Sequence, residues 1–353
     1  MSPMILRPVL LCLALCVGWS SPVLAKPKVV ILATGGTIAG SAETQTQAGY
    51  TSGQVGVDVL INAVPQITEL AEISGEQVAN VGSQDMSDAI WLTLAERVNA
   101  LLEKRDVDGV VITHGTDTLE ETSYFLNLVV DSDKPVVMTA AMRPFTALSA
   151  DGPLNMFNAV AVAVDPQACG RGVLVVIHDD IHGARATTKS HTTYAHTFQS
   201  HEEGLVGTTV YGRNTFFRHP YRKHTLGSSL SVEGVQVLPR VDVLYMHAGA
   251  AGDLVDASVA RGARGLVLAG VGNGNMNSEV RAALGRAVQA GVAVVRSSRV
   301  PGGATSRNIE IDDDRLGTVA SGELNPAKSR VLLQLALLQD VDAAGLRALF
   351  DTY

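Results

Sequence analysis

Two segments of the chain place a threonine directly after glycine at the end of an apolar run. They are Ala33-Thr34-Gly35-Gly36-Thr37-Ile38-Ala39-Gly40 and Ile112-Thr113-His114-Gly115-Thr116-Asp117-Thr118. In an α/β sheet, ligands bind beyond the C-terminal ends of the strands. Two consecutive glycines let the backbone approach a ligand and take unusual φ/ψ, and Thr37 then presents its hydroxyl at that edge. A plain strand–turn with a structural Thr reads equally well from spacing alone. Thr116 and Asp117 fall at a sheet edge near a helix start, where backbone N–H groups favour an anion. Simple helix capping by Asp117 is the competing reading. No Lys follows the glycines, so this is no Walker loop, and G-x-G-x-x-G is absent. The polar stretch from Ala42 to Thr51 surrounds an isolated Tyr50. It has the composition of a flap that closes over a site, or of an ordinary surface loop.

Two other features carry less. Gly272-Asn273-Gly274-Asn275 follows a strand but is a weak nucleotide-loop signal. His178 and His182 stand at i, i+4 within a His-rich stretch. No Cys or Glu pattern accompanies them as metal ligation would require, so hydrogen-bonding histidines are expected, with neither metal nor cofactor.

The elements that must position these groups alternate. Apolar, β-branched runs at 29–33, 107–113, 136–141, 173–177, 241–247, 265–269 and 292–297 read as strands. Helical patterns lie between most of them. Ile90, Leu94, Val98 and Leu101 share one helix face, Thr118 to Glu121 fits a capping box, and Pro326 opens a further helix. Strands alternating with helices imply right-handed βαβ units and parallel sheets. The expected fold is α/β in two domains. The N-terminal one is larger, a parallel sheet with helices on both faces; the C-terminal one is smaller and flavodoxin-like. The pattern breaks from about His196 to Pro239, whose first part reads as irregular or hairpin structure. The expected domains are 26–217 and 240–353, joined by a linker at 218–239.

Composition agrees with this outline. The 353 residues are 46% hydrophobic and 18% charged with a net charge of −8, which excludes a disordered chain. The acidic balance, without a long Lys/Arg run, argues against a nucleic-acid partner. Arg7, the apolar run Val9 to Val17 and the small residues ending at Ala25 describe a signal peptide over 1–25. The run is shorter than the ~20 residues of a membrane span. Cleavage after Ala25 removes Cys12 and Cys16 and leaves Cys169 alone. A periplasmic protein that leaves the membrane on cleavage is expected.

The two threonine segments, ATGGTIAG at 33–40 and ITHGTDTLEET at 112–122, resemble the signature segments of the bacterial L-asparaginase family. The resemblance continues in order through NVGSQDM at 80–86, KPVVMTAAMRP at 134–144, SADGP at 149–153, AGVGNGN at 269–275, VVRSSRVP at 294–301 and NPAKSRVLLQLAL at 325–337. It thins over 196–232. The signal peptide makes the chain similar to the secreted type II subgroup. The resemblance implies hydrolysis of the side-chain amide of L-asparagine to L-aspartate and ammonia. It assigns Thr37 as nucleophile with Tyr50 close to it, and a second triad of Thr116, Lys189 and Asp117. A free Lys is protonated near pH 7, so burial or a rigid contact with Thr116 must help it move a proton. The Thr116 N–H is the implied oxyanion donor. Ser83 and the Gly36 backbone would take the substrate α-carboxylate; Asp117, Gln84 and Glu310 would take its ammonium. Asn275 and Glu310 would come from a neighbouring subunit of a homotetramer, a dimer of dimers.

Asn275, in place of a smaller Ser, points to asparagine over glutamine. The two substrates differ by one methylene, worth only ~1–3 kcal/mol of discrimination. A broad-specificity periplasmic glutaminase-asparaginase, or a lesser glutaminase activity, is therefore an open alternative. A non-catalytic periplasmic amino-acid binding protein is the alternative from another class. Such a binder needs no nucleophile or Lys beside the amide.

Overall fold

A computed structural model describes residues 25–47 and 49–353. The leader expected over 1–25 lies, except for Ala25, outside the described residues. The strands are β1 (Lys28–Gly35), β2 (Glu72–Val81), β3 (Gly109–Thr113), β4 (Val136–Thr139), β5 (Val173–Ile177), β6 (Asp180–Gly183), β7 (Thr188–Lys189), β8 (Phe198–Gln199), β9 (Gly207–Val210), β10 (Arg213–Phe216), β11 (Val241–Tyr245), β12 (Gly265–Gly270), β13 (Ala293–Ser298) and β14 (Val319–Ala320). The helices are α1 (Val57–Asn62), α2 (Ile67–Leu70), α3 (Asp88–Leu102), α4 (Leu119–Val129), α5 (Gly152–Ala163), α6 (Asp253–Ala260), α7 (Ser278–Gln289), α8 (Asp313–Leu316), α9 (Pro326–Ala336) and α10 (Ala343–Thr352).

The N-terminal sheet has eight strands in the order β10-β9-β6-β5-β4-β3-β1-β2. From β2 to β5 every pairing is parallel. Successive side chains of β1 point to opposite faces. Val30 and Leu32 join the core built with α3 and α4. Val29, Ile31 and Ala33 join the core built with α1, α2 and α5. Helices on both faces explain why the strand is an unbroken apolar run. Beyond β5 the sheet turns antiparallel through β6, β9 and β10. The hairpin β9–β10 occupies the first part of the stretch where the alternation of strand and helix breaks. The long edge strand β2 has no counterpart among the expected strands.

The C-terminal sheet is parallel in the order β11-β12-β13-β14. One face packs on α6 and α7. The other packs on α9 and α10, whose residues share a continuous core with α3 and α4 of the N-terminal unit. The segment 218–239 contributes to that same core through Leu230, Val232 and Leu238.

The capping box expected at Thr118–Glu121 does not form. Thr118 caps α4 without a side-chain bond to the helix, because its hydroxyl donates instead to the Ser83 carbonyl at 2.7 Å. That contact ties the 83–85 turn to the Thr116–Asp117 loop.

Candidate active site

The end of β1 turns through Gly35 and Gly36, both at positive φ (104° and 83°). A Cβ on Gly36 would lie 2.3 Å from the Gly115 N, and one on Gly115 would lie 2.5 Å from Ser83 Oγ. The two threonine loops therefore meet backbone to backbone, and only glycine permits it. Ser83 Oγ accepts the Asp117 N–H at 3.1 Å. Thr37 opens a short 3-10 turn and is buried.

Tyr50 reaches Thr37 from the 41–51 segment, with 2.6 Å between the hydroxyl oxygens. Its ring lies where a Cβ on Gly40 would stand, 2.8 Å away. The segment is fastened over the site at three points. Ser41 and Thr51 form an antiparallel bridge, the Ala42 N–H donates to Thr146 Oγ1 at 2.9 Å, and the Leu148 N–H donates to the Gln45 carbonyl at 2.9 Å.

Thr116 and Asp117 sit between β3 and α4. Lys189 approaches them from β7, and its Nζ donates to Thr116 Oγ1 at 3.0 Å and to Asp117 Oδ1 at 2.6 Å. No intramolecular backbone bond engages the Thr116 N–H among the described residues. Thr37, Tyr50, Thr116, Asp117 and Lys189 all line one cavity of about 400 Å³, together with Gln45, Arg143 and Thr192. The arrangement provides two hydroxyls, each in contact with a separate proton-carrying group, facing one polar space.

Directly behind Thr116, His114 is wholly buried and bonded through Nδ1 to the Gly115 carbonyl at 2.7 Å. Burial pushes its pKa down to about 4, so it is neutral at pH 7 and hydrophobic in effect. His182 is also buried, bonded to Ser200 Oγ at 2.9 Å, and burial likewise lowers it to about 4. Among the described residues no cluster of three or more His, Cys, Asp or Glu could hold a metal.

The remaining candidates lie apart from the cavity. The Gln84 side chain is turned onto Asp85 Oδ2 at 3.3 Å. Asn275 and Glu310 are hydrogen-bonded to one another in the C-terminal unit, and neither lines the cavity. Both are presented by loops gripped by Arg296, a residue absent from the sequence-based candidates. Arg296 is 1% exposed and its partner Asp313 0%. The guanidinium takes both Asp313 oxygens at 2.6 and 2.7 Å. It also donates to the carbonyls of Asn273, Gly274 and Ser306 at 3.1 Å each. The signal available in the sequence was a charge inside an apolar strand, Val294-Val295-Arg296, since a buried charge demands a partner.

Comparison with known proteins gives a family to this geometry. The family model "Asparaginase, N-terminal" matches residues 28–222, and "Glutaminase/Asparaginase C-terminal domain" matches 240–350. The chain is 51% identical to L-asparaginase 2 of Escherichia coli (strain K12), over 96% of this chain and 97% of that one. It is 48% identical to the probable periplasmic L-asparaginase of Haemophilus influenzae, over 93% of each. The crystal structure of a probable cytoplasmic L-asparaginase from Campylobacter jejuni superposes with a TM-score of 0.91 at 43% identity, covering 93% of this chain and 100% of that one. Two matched family models in order along the chain, and identity near one half over almost all of it, make this protein a member of the asparaginase family.

Proposed function

We propose that the protein is an L-asparaginase that hydrolyses the side-chain amide of L-asparagine through Thr37. The observation that carries this reading is the pair of hydroxyl systems facing one cavity, Thr37–Tyr50 on one side and Thr116–Lys189–Asp117 on the other. A hydroxyl is a weak nucleophile unless a neighbour takes its proton. Thr37 Oγ1 attacks the amide carbon as its proton passes to Tyr50 Oη, 2.6 Å away, while the phenol releases its own proton to water in the cavity. The tetrahedral oxyanion that forms is met by the Thr116 N–H, a contact of a kind worth ~3 kcal/mol. Thr116, with Lys189 behind it, supplies the proton that lets nitrogen depart as ammonia, and Lys189 regains a proton from that water. Water then attacks the Thr37 ester, returns its proton to the hydroxyl and releases L-aspartate.

Ser83 and the Gly36 backbone are assigned to the substrate carboxylate, and Asp117, with Gln84, to its ammonium. The hydrogen-bonded pair Asn275–Glu310, which stands outside its own chain's cavity, is assigned to the site of a neighbouring subunit in a homotetramer. The proposed domains are 26–217 and 240–353 with a linker at 218–239. A leader over 1–25 and a periplasmic location complete the reading; the Haemophilus relative named periplasmic favours it. Among the described residues no helix is long and apolar enough to cross a membrane.

The test is ammonia release from L-asparagine by the purified chain and by Thr37→Ala. The expected result is turnover by the first and its loss in the second with an unchanged circular dichroism spectrum. Asparagine bound tightly without ammonia release would reduce the protein to a binding module. L-Glutamine in the same assay decides selectivity, and equal kcat/KM on both amides would refute the preference assigned to Asn275.

A further inference from the structure

We propose that Glu120, braced by Asn325 of the C-terminal unit, is a positioning residue for Lys189. The proposal rests on the reading of Lys189 as part of the reacting group.

Lys189 belongs to a two-residue strand whose one neighbouring strand among the described residues is the equally short β8. So short a pairing holds a long side chain poorly, and a Lys side chain loses up to ~2 kcal/mol of rotamer entropy when fixed. The structure supplies an anchor elsewhere. The Lys189 N–H donates to Glu120 Oε2 at 3.0 Å. Glu120 lies in the first turn of α4, three residues after Asp117 and four after Thr116. One rigid junction, β3 to α4, thus holds Lys189 at both ends, the backbone by Glu120 and Nζ by Thr116 and Asp117.

The other oxygen of Glu120 is held from across the molecule. Asn325 Nδ2 donates to Glu120 Oε1 at 3.1 Å, while Asn325 Oδ1 caps α9 by accepting the Lys328 N–H at 2.9 Å. Lys328 is itself wholly buried, and its Nζ donates to the carbonyls of Arg185, at 2.7 Å, and Thr187. Burial lowers its pKa to about 8, and the Glu120 carboxylate opposes that shift. The start of α9 therefore grips the chain just before Lys189, and Glu120 grips Lys189 itself. Neither Glu120 nor Asn325 lines the cavity. Their contribution must act through the place where Lys189 stands.

Steady-state kinetics on L-asparagine with the full-length protein test the proposal. Glu120→Ala is expected to lower kcat at least about tenfold with KM within about threefold, since displacing a reacting group by ~1 Å costs up to ~10²-fold. Should that variant fail to fold, Glu120→Asp, shorter by one methylene, carries the same expectation. Glu120→Gln turns an amide N–H₂ toward the Asn325 Nδ2, so it too loses kcat. Glu120→Gln/Asn325→Asp reverses donor and acceptor and restores the bond, and kcat should return to within about threefold of the parent. Lys189→Met separates this role from the reading of the site. If that variant keeps kcat, the reading fails and the positioning role fails with it. If it loses kcat while Glu120→Ala and Glu120→Asp keep theirs, or while the folded double variant recovers nothing, the positioning role alone is overturned.

Discussion

Replacing Arg296 by Met should destabilise the C-terminal unit and disturb the residues assigned to the neighbouring site at the same time. The parent guanidinium makes two charged hydrogen bonds to Asp313 and three to carbonyls. Burial by itself would raise the Asp313 carboxyl. Hydrogen bonds from Arg296 and Thr318 outweigh that and hold it below the usual carboxylate range. Met fills most of the volume but leaves a carboxylate at 0% exposure with, among the described residues, only Thr318 and the Asn308 N–H for company. Breaking a buried pair on one side costs about 3–5 kcal/mol, because the remaining charge is uncompensated. Urea unfolding followed by far-ultraviolet circular dichroism reads this as a lower midpoint at unchanged slope. The variant should also regain stability on mild acidification, as protonating Asp313 removes the stranded charge. The double variant Arg296→Met/Asp313→Leu should recover much of the loss, since apolar replacement of both partners is often neutral. A loss below about 1 kcal/mol in Arg296→Met would show that the pair is not held as tightly as five bonds imply.

Tyr50→Phe removes one hydroxyl and its 2.6 Å contact with Thr37; kcat for asparagine should fall by about 10²-fold with KM little changed, and a kcat within twofold of the parent would exclude Tyr50 from proton transfer. Gly36→Ala places a Cβ 2.3 Å from the Gly115 N at φ 83°; strain alone costs of order 1–3 kcal/mol, so calorimetry should record a lower Tm together with lost activity. His114 and His182 each have a folded pKa lowered to about 4. Between that value and the unfolded 6.5 the unfolded chain binds more protons. Stability should therefore fall as pH drops through that window, by about 2.7 kcal/mol per pH unit for the two together. His182→Gln should halve this part of the slope in pH-dependent unfolding, and an unaltered slope would contradict its burial as a neutral ring.

The central parallel strands of both sheets were legible because fully buried parallel strands must be apolar throughout, as at Val173–Ile177 and Gly265–Gly270. β2 escaped because it is an edge strand with half-exposed residues and Gly75 within it. β6 escaped for a related reason, being four residues long with the polar Asp180. The hairpin β9–β10 was legible no further than as irregular or hairpin structure, because its strands are as short and carry polar side chains such as Asn214. At the site, Thr37, Thr116 and Asp117 were legible because glycine turns at strand ends leave a local mark. Glu120 and Arg296 were not. Glu120 is bonded to Lys189 and Asn325, 69 and 205 residues away, and no local spacing encodes such a partner. Thr118 was misjudged for the same reason, since its local capping role lost to a longer-range bond with Ser83.

The core that runs unbroken from α3 and α4 into α9 and α10 has a mechanical consequence. A cleft enzyme with two lobes can open by swinging one lobe against the other, but these lobes share apolar contacts that a hinge would have to tear. The segment between them is no strap either, with Leu230, Val232 and Leu238 sunk in the same core. Lifting the segment around Tyr50 would by contrast break few bonds, its fastenings to Thr146 and Leu148 and the bridge between Ser41 and Thr51. Any opening of this site therefore costs less at the Tyr50 segment than at the boundary between the lobes.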